Sequence, residues 1–204
     1  MIARPASVAT GGLGLCVPRS AGALEAPAGE TPMKHRFLAC LHADVSGYSR
    51  LIADHGEETV RMLTAYKAMI DRIVATHGGR LIDVAGDSLL AAFHTVVDAV
   101  RCAIEAQRQL HVQNGGLPPD RRMQFRVGID FGDVIVEDGR LYGDCVNVAT
   151  RVQEVAKPGR ICLAESAFDR VSPLLLSCEY LGERRVKNID KPLRIYQVGS
   201  GCGE

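Results

Sequence analysis

Apolar residues recur along this chain at two spacings, and the change from one to the other marks out its elements. Phe37 to Ala43 is a short apolar run ending at Asp44, the pattern of a buried strand. Between Glu57 and His77 apolar residues fall at 60, 63, 70, 73 and 74, which predicts an amphipathic helix stopped by Gly78-Gly79. Two short runs, Arg80 to Ala85 and Leu89 to Phe93, flank Gly86-Asp87 and predict a β-hairpin whose turn holds a carboxylate. Val96, Val100, Ala103 and Ile104 form the stripe of a second helix, with Thr95 placed to cap it and Asp98 in its first turn. Asn114 to Pro119 reads as a loop. Gln124 to Ile129 and Val134 to Glu137 read as two strands about Gly132-Asp133. After a turn at Asp138-Gly139, a helix carrying Asn147 and Arg151 runs to Pro158-Gly159. Arg160 to Leu163 predicts a strand and Glu165 to Val171 a short helix, with late strands near Glu179 to Val186 and Leu193 to Val198.

The order βαββαβ, followed by further α and β elements, predicts an α+β fold with a ferredoxin-like core, its helices on one face of a mostly antiparallel sheet. In that order the first strand is central and pairs with the next hairpin. Asp44 at the strand's end and Asp87 in the hairpin turn can then meet at one edge.

Composition narrows the picture. A chain of 204 residues is long enough for one sizeable core. The patterned part is 34–198. Residues 1–33 are rich in Ala, Gly and Pro and read as a disordered tail or a mis-assigned start, since Met33-Lys-His-Arg opens the patterned sequence. Gly11, Gly12, Gly14 and Pro18 break the apolar stretch that a secretory signal needs. Residues 199–204 also read as tail. Lys+Arg and Asp+Glu are equal at 24 each, so no basic field argues for nucleic acid, and any anionic ligand must be held locally. No apolar run approaches the roughly 20 residues of a membrane span. The seven cysteines include no Cys-x-x-Cys pair, which argues against zinc and for buried free thiols in a cytoplasmic setting.

The candidate chemistry falls in three places. Asn147 and Arg151, four residues apart, leave one face of a helix. An amide and a guanidinium aimed at one spot suit a negatively charged phosphorus centre. Asp44 and Asp87, if they meet, are paired carboxylates of the kind that hold Mg²⁺ with open positions for water and phosphate. Ser46-Gly47-Tyr48-Ser49 opens a helix, where it serves either as a simple N-cap or as a cradle of backbone N–H groups for a triphosphate.

The stretch from about Arg36 to Val198 resembles the catalytic domain of class III nucleotide cyclases, the adenylate/guanylate cyclase family. The resemblance rests on His42-Ala-Asp-Val-Ser-Gly-Tyr-Ser49, Ala85-Gly-Asp-Ser-Leu-Leu-Ala-Ala-Phe93, Phe125-Arg-Val-Gly-Ile-Asp-Phe-Gly132, Tyr142-Gly-Asp-Cys-Val-Asn-Val-Ala-Thr-Arg151 and Arg185-Val-Lys-Asn-Ile189. These occur in family order at family-like spacing over about 160 residues. The resemblance implies that Asp44 and Asp87, with the Val45 carbonyl, bind two Mg²⁺ or Mn²⁺ ions that activate a ribose 3′-hydroxyl for attack on the α-phosphate. It implies that Asn147 orients the ribose, that Arg151 stabilises the charge developing at phosphorus, and that Lys187 contacts the terminal phosphates. It also implies that metal aspartates and the Asn/Arg pair of one site come from different protomers, so a single-domain chain works as a homodimer.

The chain departs from the family pattern where the base is read. Asp83 stands where adenylate cyclases usually carry Lys, and Arg140 where they usually carry Asp or Thr. Guanylate cyclases usually have Glu at the Asp83 position. An Asp plus an Arg complement either the adenine or the guanine edge, depending on which atom each reaches, and uracil also offers a donor between acceptors. ATP leads by the frequency of adenylate cyclases among bacterial members, with GTP and pyrimidine triphosphates as alternatives. A mutual Asp83–Arg140 pair, or solvent-facing side chains and a loosely read base, is the other reading. A catalytically inactive cyclase-like module usually lacks one of the four key residues, and this chain has all four. An oligonucleotide-binding module is disfavoured because Phe37–Ala43 and Gln124–Ile129 show no exposed aromatic pattern for base stacking.

Overall fold

The computed structural model describes residues 34–171, 177–187, 189 and 191–199. In chain order its elements are β1 (Lys34–Val45), α1 (Tyr48–Thr76), β2 (Arg80–Ala85), β3 (Ser88–Phe93), α2 (Val96–Asn114), β4 (Phe125–Glu137), β5 (Arg140–Tyr142), α3 (Asp144–Val155), β6 (Ile161–Ala164), α4 (Glu165–Phe168), β7 (Cys178–Arg184) and β8 (Leu193–Val198). The expected tail at 1–33 lies outside the described residues, as does that at 199–204 except for Gly199, whose amide donates to the Ser177 carbonyl at 2.7 Å.

All the strands join one sheet in the order β2-β3-β1-β4-β6-β8-β7, with β5 paired to β4. As expected, β1 is central: it runs antiparallel to β3 on one side and to β4 on the other. The pairing of β4 with β6 is parallel.

Alternation along β1 sends its side chains to two different cores. Ala39, Leu41, Ala43 and Val45 pack into the larger one with α1 and α2. Leu38 and Cys40 face the other way, onto Cys145 and Ala149 of α3. The expectation of helices on one face is therefore corrected: α3 covers the opposite side. A strand buried on both faces reads as a continuous apolar run, which says nothing of the helix above each face. The close approach of α3 depends on a glycine. A Cβ on Gly128 would lie 2.2 Å from the Gln153 nitrogen and 2.3 Å from the Ala149 oxygen.

Two boundaries also differ from the sequence reading. Gly132-Asp133 is no turn: β4 runs through it in register with β1, and Gly132 is needed because Cys145 Cβ stands only 3.2 Å from where its own Cβ would be. The expected turn at Asp138-Gly139 exists, with φ of 47° and 77°, but it leads into the three-residue β5 that the pattern was too short to reveal. As the reading of Ser46 to Ser49 as a helix opening implies, α1 begins at Tyr48, ahead of the apolar spacing that starts near Glu57. It is kinked at His55 (φ −144°, ψ 43°). The buried Thr59 hydroxyl bridges the kink by donating to the Leu51 carbonyl at 3.0 Å.

Candidate functional site

The register of β1 builds one half of the site. Asp44 sits opposite Ser88 of β3 and Arg126 of β4. Because Asp87 immediately precedes Ser88, the hairpin turn delivers its carboxylate to Asp44. Burial, then the Asp44 charge, holds the Asp87 carboxyl above the usual carboxylate range. The turn is shaped by Gly86 at φ 56° and by the Ser88 hydroxyl, which donates to the Ala85 carbonyl at 2.8 Å.

Two cations flank this pair, and neither was foreseen. Arg126 Nη2 donates to Asp44 Oδ2 at 2.6 Å. Lys67, in the middle of α1, donates from Nζ to the Gly86 carbonyl; burial lowers its ammonium, and the Asp87 charge opposes that. Arg126 could have been found from sequence only with the β1–β4 register in hand, and Lys67 only with the placement of α1 over the hairpin.

The carboxylates fit a hard divalent cation. The Asp44 charge opposes ionisation of Asp87, and a bound dication relieves that repulsion. Among the described residues no group of three or more His, Cys, Asp and Glu could hold a metal. The remaining ligands would then be carbonyl, water and substrate oxygens, a set typical of Mg²⁺.

The next segment turns sharply. Gly47 caps α1 in the left-handed region (φ 70°, ψ 28°), with no side chain capping the helix. The simple N-cap reading of Ser46 therefore fails. The Ser46 amide donates to the Gln124 carbonyl, and those of Arg50 and Leu51 donate to Gly47. The amides of Tyr48 and Ser49, at the first turn, have no acceptor within the helix.

The other pair of candidates from the sequence lies on α3. Asn147 and Arg151 are both within this helix, one turn apart. Asn147 is exposed. Arg151 is half-buried and ion-paired, Nη1 to Glu154 Oε1 at 2.5 Å. Among the described residues no hydrogen bond or ion pair joins Asn147 or Arg151 to Asp44 or Asp87. Between the halves lies His42, whose Nδ1 is buried without a partner. Burial lowers its pKa, while Asp44, Gln153 and Glu154 oppose the shift.

The remaining candidates are peripheral. Lys187 is exposed in the turn after β7. Asp83 and Arg140 are both exposed. Asp83 Oδ1 accepts from the Val84 amide at 2.8 Å, and the two do not pair with each other. The hairpin bearing Arg140 nevertheless reaches back to β2: Arg80 Nη2 lies 3.0 Å from a Cβ built on Gly139.

Comparison with known proteins fits this arrangement. Residues 32–200 match the family model described as the adenylate and guanylate cyclase catalytic domain. The crystal structure of an adenylate/guanylate cyclase/hydrolase from Silicibacter pomeroyi is 38% identical, covering 81% of this chain and 97% of that one, with a TM-score of 0.70. The adenylyl cyclase CyaB from P. aeruginosa shares the fold, with a TM-score of 0.73 at 22% identity over 82% of this chain and 95% of that one. A Rhizobium meliloti protein provisionally named adenylate cyclase 3 is 36% identical over 166 residues, 80% of this chain and 28% of its own length. The chain thus spans well under two thirds of the curated relatives it matches. Its fold, its ordered motifs and this match over most of its length place the chain in the adenylate and guanylate cyclase catalytic-domain family.

Proposed function

We propose that this chain is the catalytic domain of a nucleotidyl cyclase, a lyase that converts a nucleoside triphosphate to a 3′,5′-cyclic nucleotide and pyrophosphate for intracellular signalling. The observation that carries this reading is the meeting of Asp44 and Asp87, from separate elements, at the end of the central strand. In the reaction the ribose 3′-oxygen bonds to the α-phosphorus as the bond to the pyrophosphate oxygen breaks, and the 3′-hydroxyl gives up its proton.

Asp44, Asp87 and the Val45 carbonyl would hold two Mg²⁺ or Mn²⁺ ions, which when bound would lower the pKa of the attacking hydroxyl and offset charge on the leaving group. Ser46, Gly47, Tyr48 and Ser49 line the phosphate path with the open amides at the start of α1. Arg126 adds a guanidinium at the same corner. Asn147 orients the ribose, Arg151 carries the charge that grows on the α-phosphoryl oxygens, and Lys187 reaches the terminal phosphates.

A homodimer with shared sites fits the lack, among the described residues, of any hydrogen bond or ion pair between the two pairs within one chain. Each copy lends Asp44 and Asp87 to one site and Asn147 and Arg151 to the other. Asp83 and Arg140 read the base. ATP is the favoured substrate by family frequency, with GTP or a pyrimidine triphosphate as the alternative that the exposed, unpaired Asp83 supports.

Incubating the purified protein with each of the four nucleoside triphosphates and Mn²⁺ tests the reading. A cyclic product from one of them supports it and names the base. No product from any, at concentrations where the chain dimerises, favours a nucleotide-binding or dimerisation module.

A further inference from the structure

Asp87 stands on a thinly supported part of the sheet. Its turn follows β2, the edge strand, which pairs only with β3 and slips register between Leu81 and Asp83. Val84, Ala85 and Gly86 are exposed. A Cβ on Gly86 would meet nothing within 4 Å, so little packs there to hold its positive φ. A carboxylate that must meet Asp44 in fixed geometry needs a stay from elsewhere.

Lys67 is placed to be that stay. Buried Tyr66, Met69 and Ile70 seat this stretch of α1 against the core, which fixes the direction in which the Lys67 stem leaves the helix. Its ammonium then reaches the Gly86 carbonyl, 19 residues on in the chain. It bonds the backbone of the turn, and no ion pair joins it to the Asp87 carboxylate itself.

We propose that Lys67 is a positioning residue for the divalent-metal site: it pins the Gly86–Asp87 turn in the left-handed conformation that sets the Asp87 carboxylate beside Asp44. This rests on the two-carboxylate reading above. An ammonium has no lone pair to give a metal, so Lys67 acts through the turn and never as a ligand. The competing role is that of a counter-ion, in which its charge merely offsets Asp87 and opposes an incoming dication. The two roles predict opposite signs.

The test is Mn²⁺ binding to the full chain, followed by electron paramagnetic resonance without nucleotide, for wild type, Lys67→Met, Lys67→Arg and Gly86→Ala. Lys67→Met is expected to bind Mn²⁺ about tenfold more weakly, as is typical when a group that orients a metal ligand is lost. Lys67→Arg, which keeps a cationic donor, restores most of the affinity. Gly86→Ala, which disturbs the turn from the other side, weakens binding as Lys67→Met does and reports independently if that variant folds poorly. In turnover, the metal concentration for half-maximal rate rises while KM for nucleotide holds. Tighter or unchanged Mn²⁺ binding by Lys67→Met, or no Mn²⁺ binding by wild type, overturns the proposal. Wild type that binds Mn²⁺ but cyclises no triphosphate removes the cyclase reading and leaves the Lys67 comparison valid.

Discussion

At the scale of single residues, the site divides into groups that hold and groups that stabilise, and kinetics separates them. Asp44→Ala and Asp87→Ala are each expected to cut turnover about a thousandfold by emptying the metal site; retained activity in either variant removes its assigned role. Asn147→Ala and Arg151→Ala act on the chemical step. Each is expected to lower kcat roughly a hundredfold and to leave nucleotide affinity within a few-fold, which single-turnover and equilibrium binding measurements resolve. Asp130 illustrates a different balance. It is buried at 6% exposure, and its carboxylate accepts from the Ser166 hydroxyl. Burial raises its pKa despite that bond. The folded form therefore keeps a proton that the unfolded chain releases. Its contribution to stability is present below the unfolded pKa and is lost as pH rises through the folded one. Asp130→Asn is expected to raise Tm at pH 8, with the gain shrinking as pH falls; calorimetry at several pH values checks this.

At the scale of elements, much of the architecture could be read from the sequence. The β2–β3 hairpin fell in place because Gly86-Asp87 interrupts two apolar runs, and the cap at Thr95 because its hydroxyl accepts from the Asp98 amide at 3.1 Å. What stayed hidden depends on partners distant in the chain. The covering of β4 by α3 turns on Gly128, whose role is to be absent of side chain. Arg126 looks like any surface residue of a strand until register sets it beside Asp44. Local irregularity was also hidden: the helix start at Ser46 to Ser49 was legible, but nothing in the apolar spacing announces the kink at His55. Two stability tests belong here. Gly128→Ala drives a methyl into the α3 backbone and is expected to cost about 3 kcal/mol. Thr59→Val leaves the Leu51 carbonyl without its donor at a cost of about 1 to 2 kcal/mol. Urea unfolding measures both, and an unchanged midpoint for either contradicts the packing described.

At the scale of the whole molecule, the proposed sharing of sites between protomers makes a prediction no single chain can satisfy. Mixing inactive Asp44→Ala protein with inactive Arg151→Ala protein is expected to restore activity. The heterodimer has one site with both aspartates and the arginine intact, and the other with neither half. Rescue should approach a quarter of wild-type activity at equal mixing, since about half the dimers are mixed and each has one working site of two. No rescue, with subunit exchange verified, rules out sites shared across an interface.

The pairing of three cations around the proposed site has a consequence for selectivity. Arg126 is committed to Asp44, Arg151 to Glu154, and Lys67 to the turn carbonyl before Asp87. A stray polyanion would have to break these bonds and leave carboxylates facing its own charge, so it gains little by docking. A ligand that arrives with metal ions brings replacement partners for the acids it displaces. Under the proposed function, these three contacts therefore favour a phosphate ligand that carries its own counter-charge over one that arrives bare.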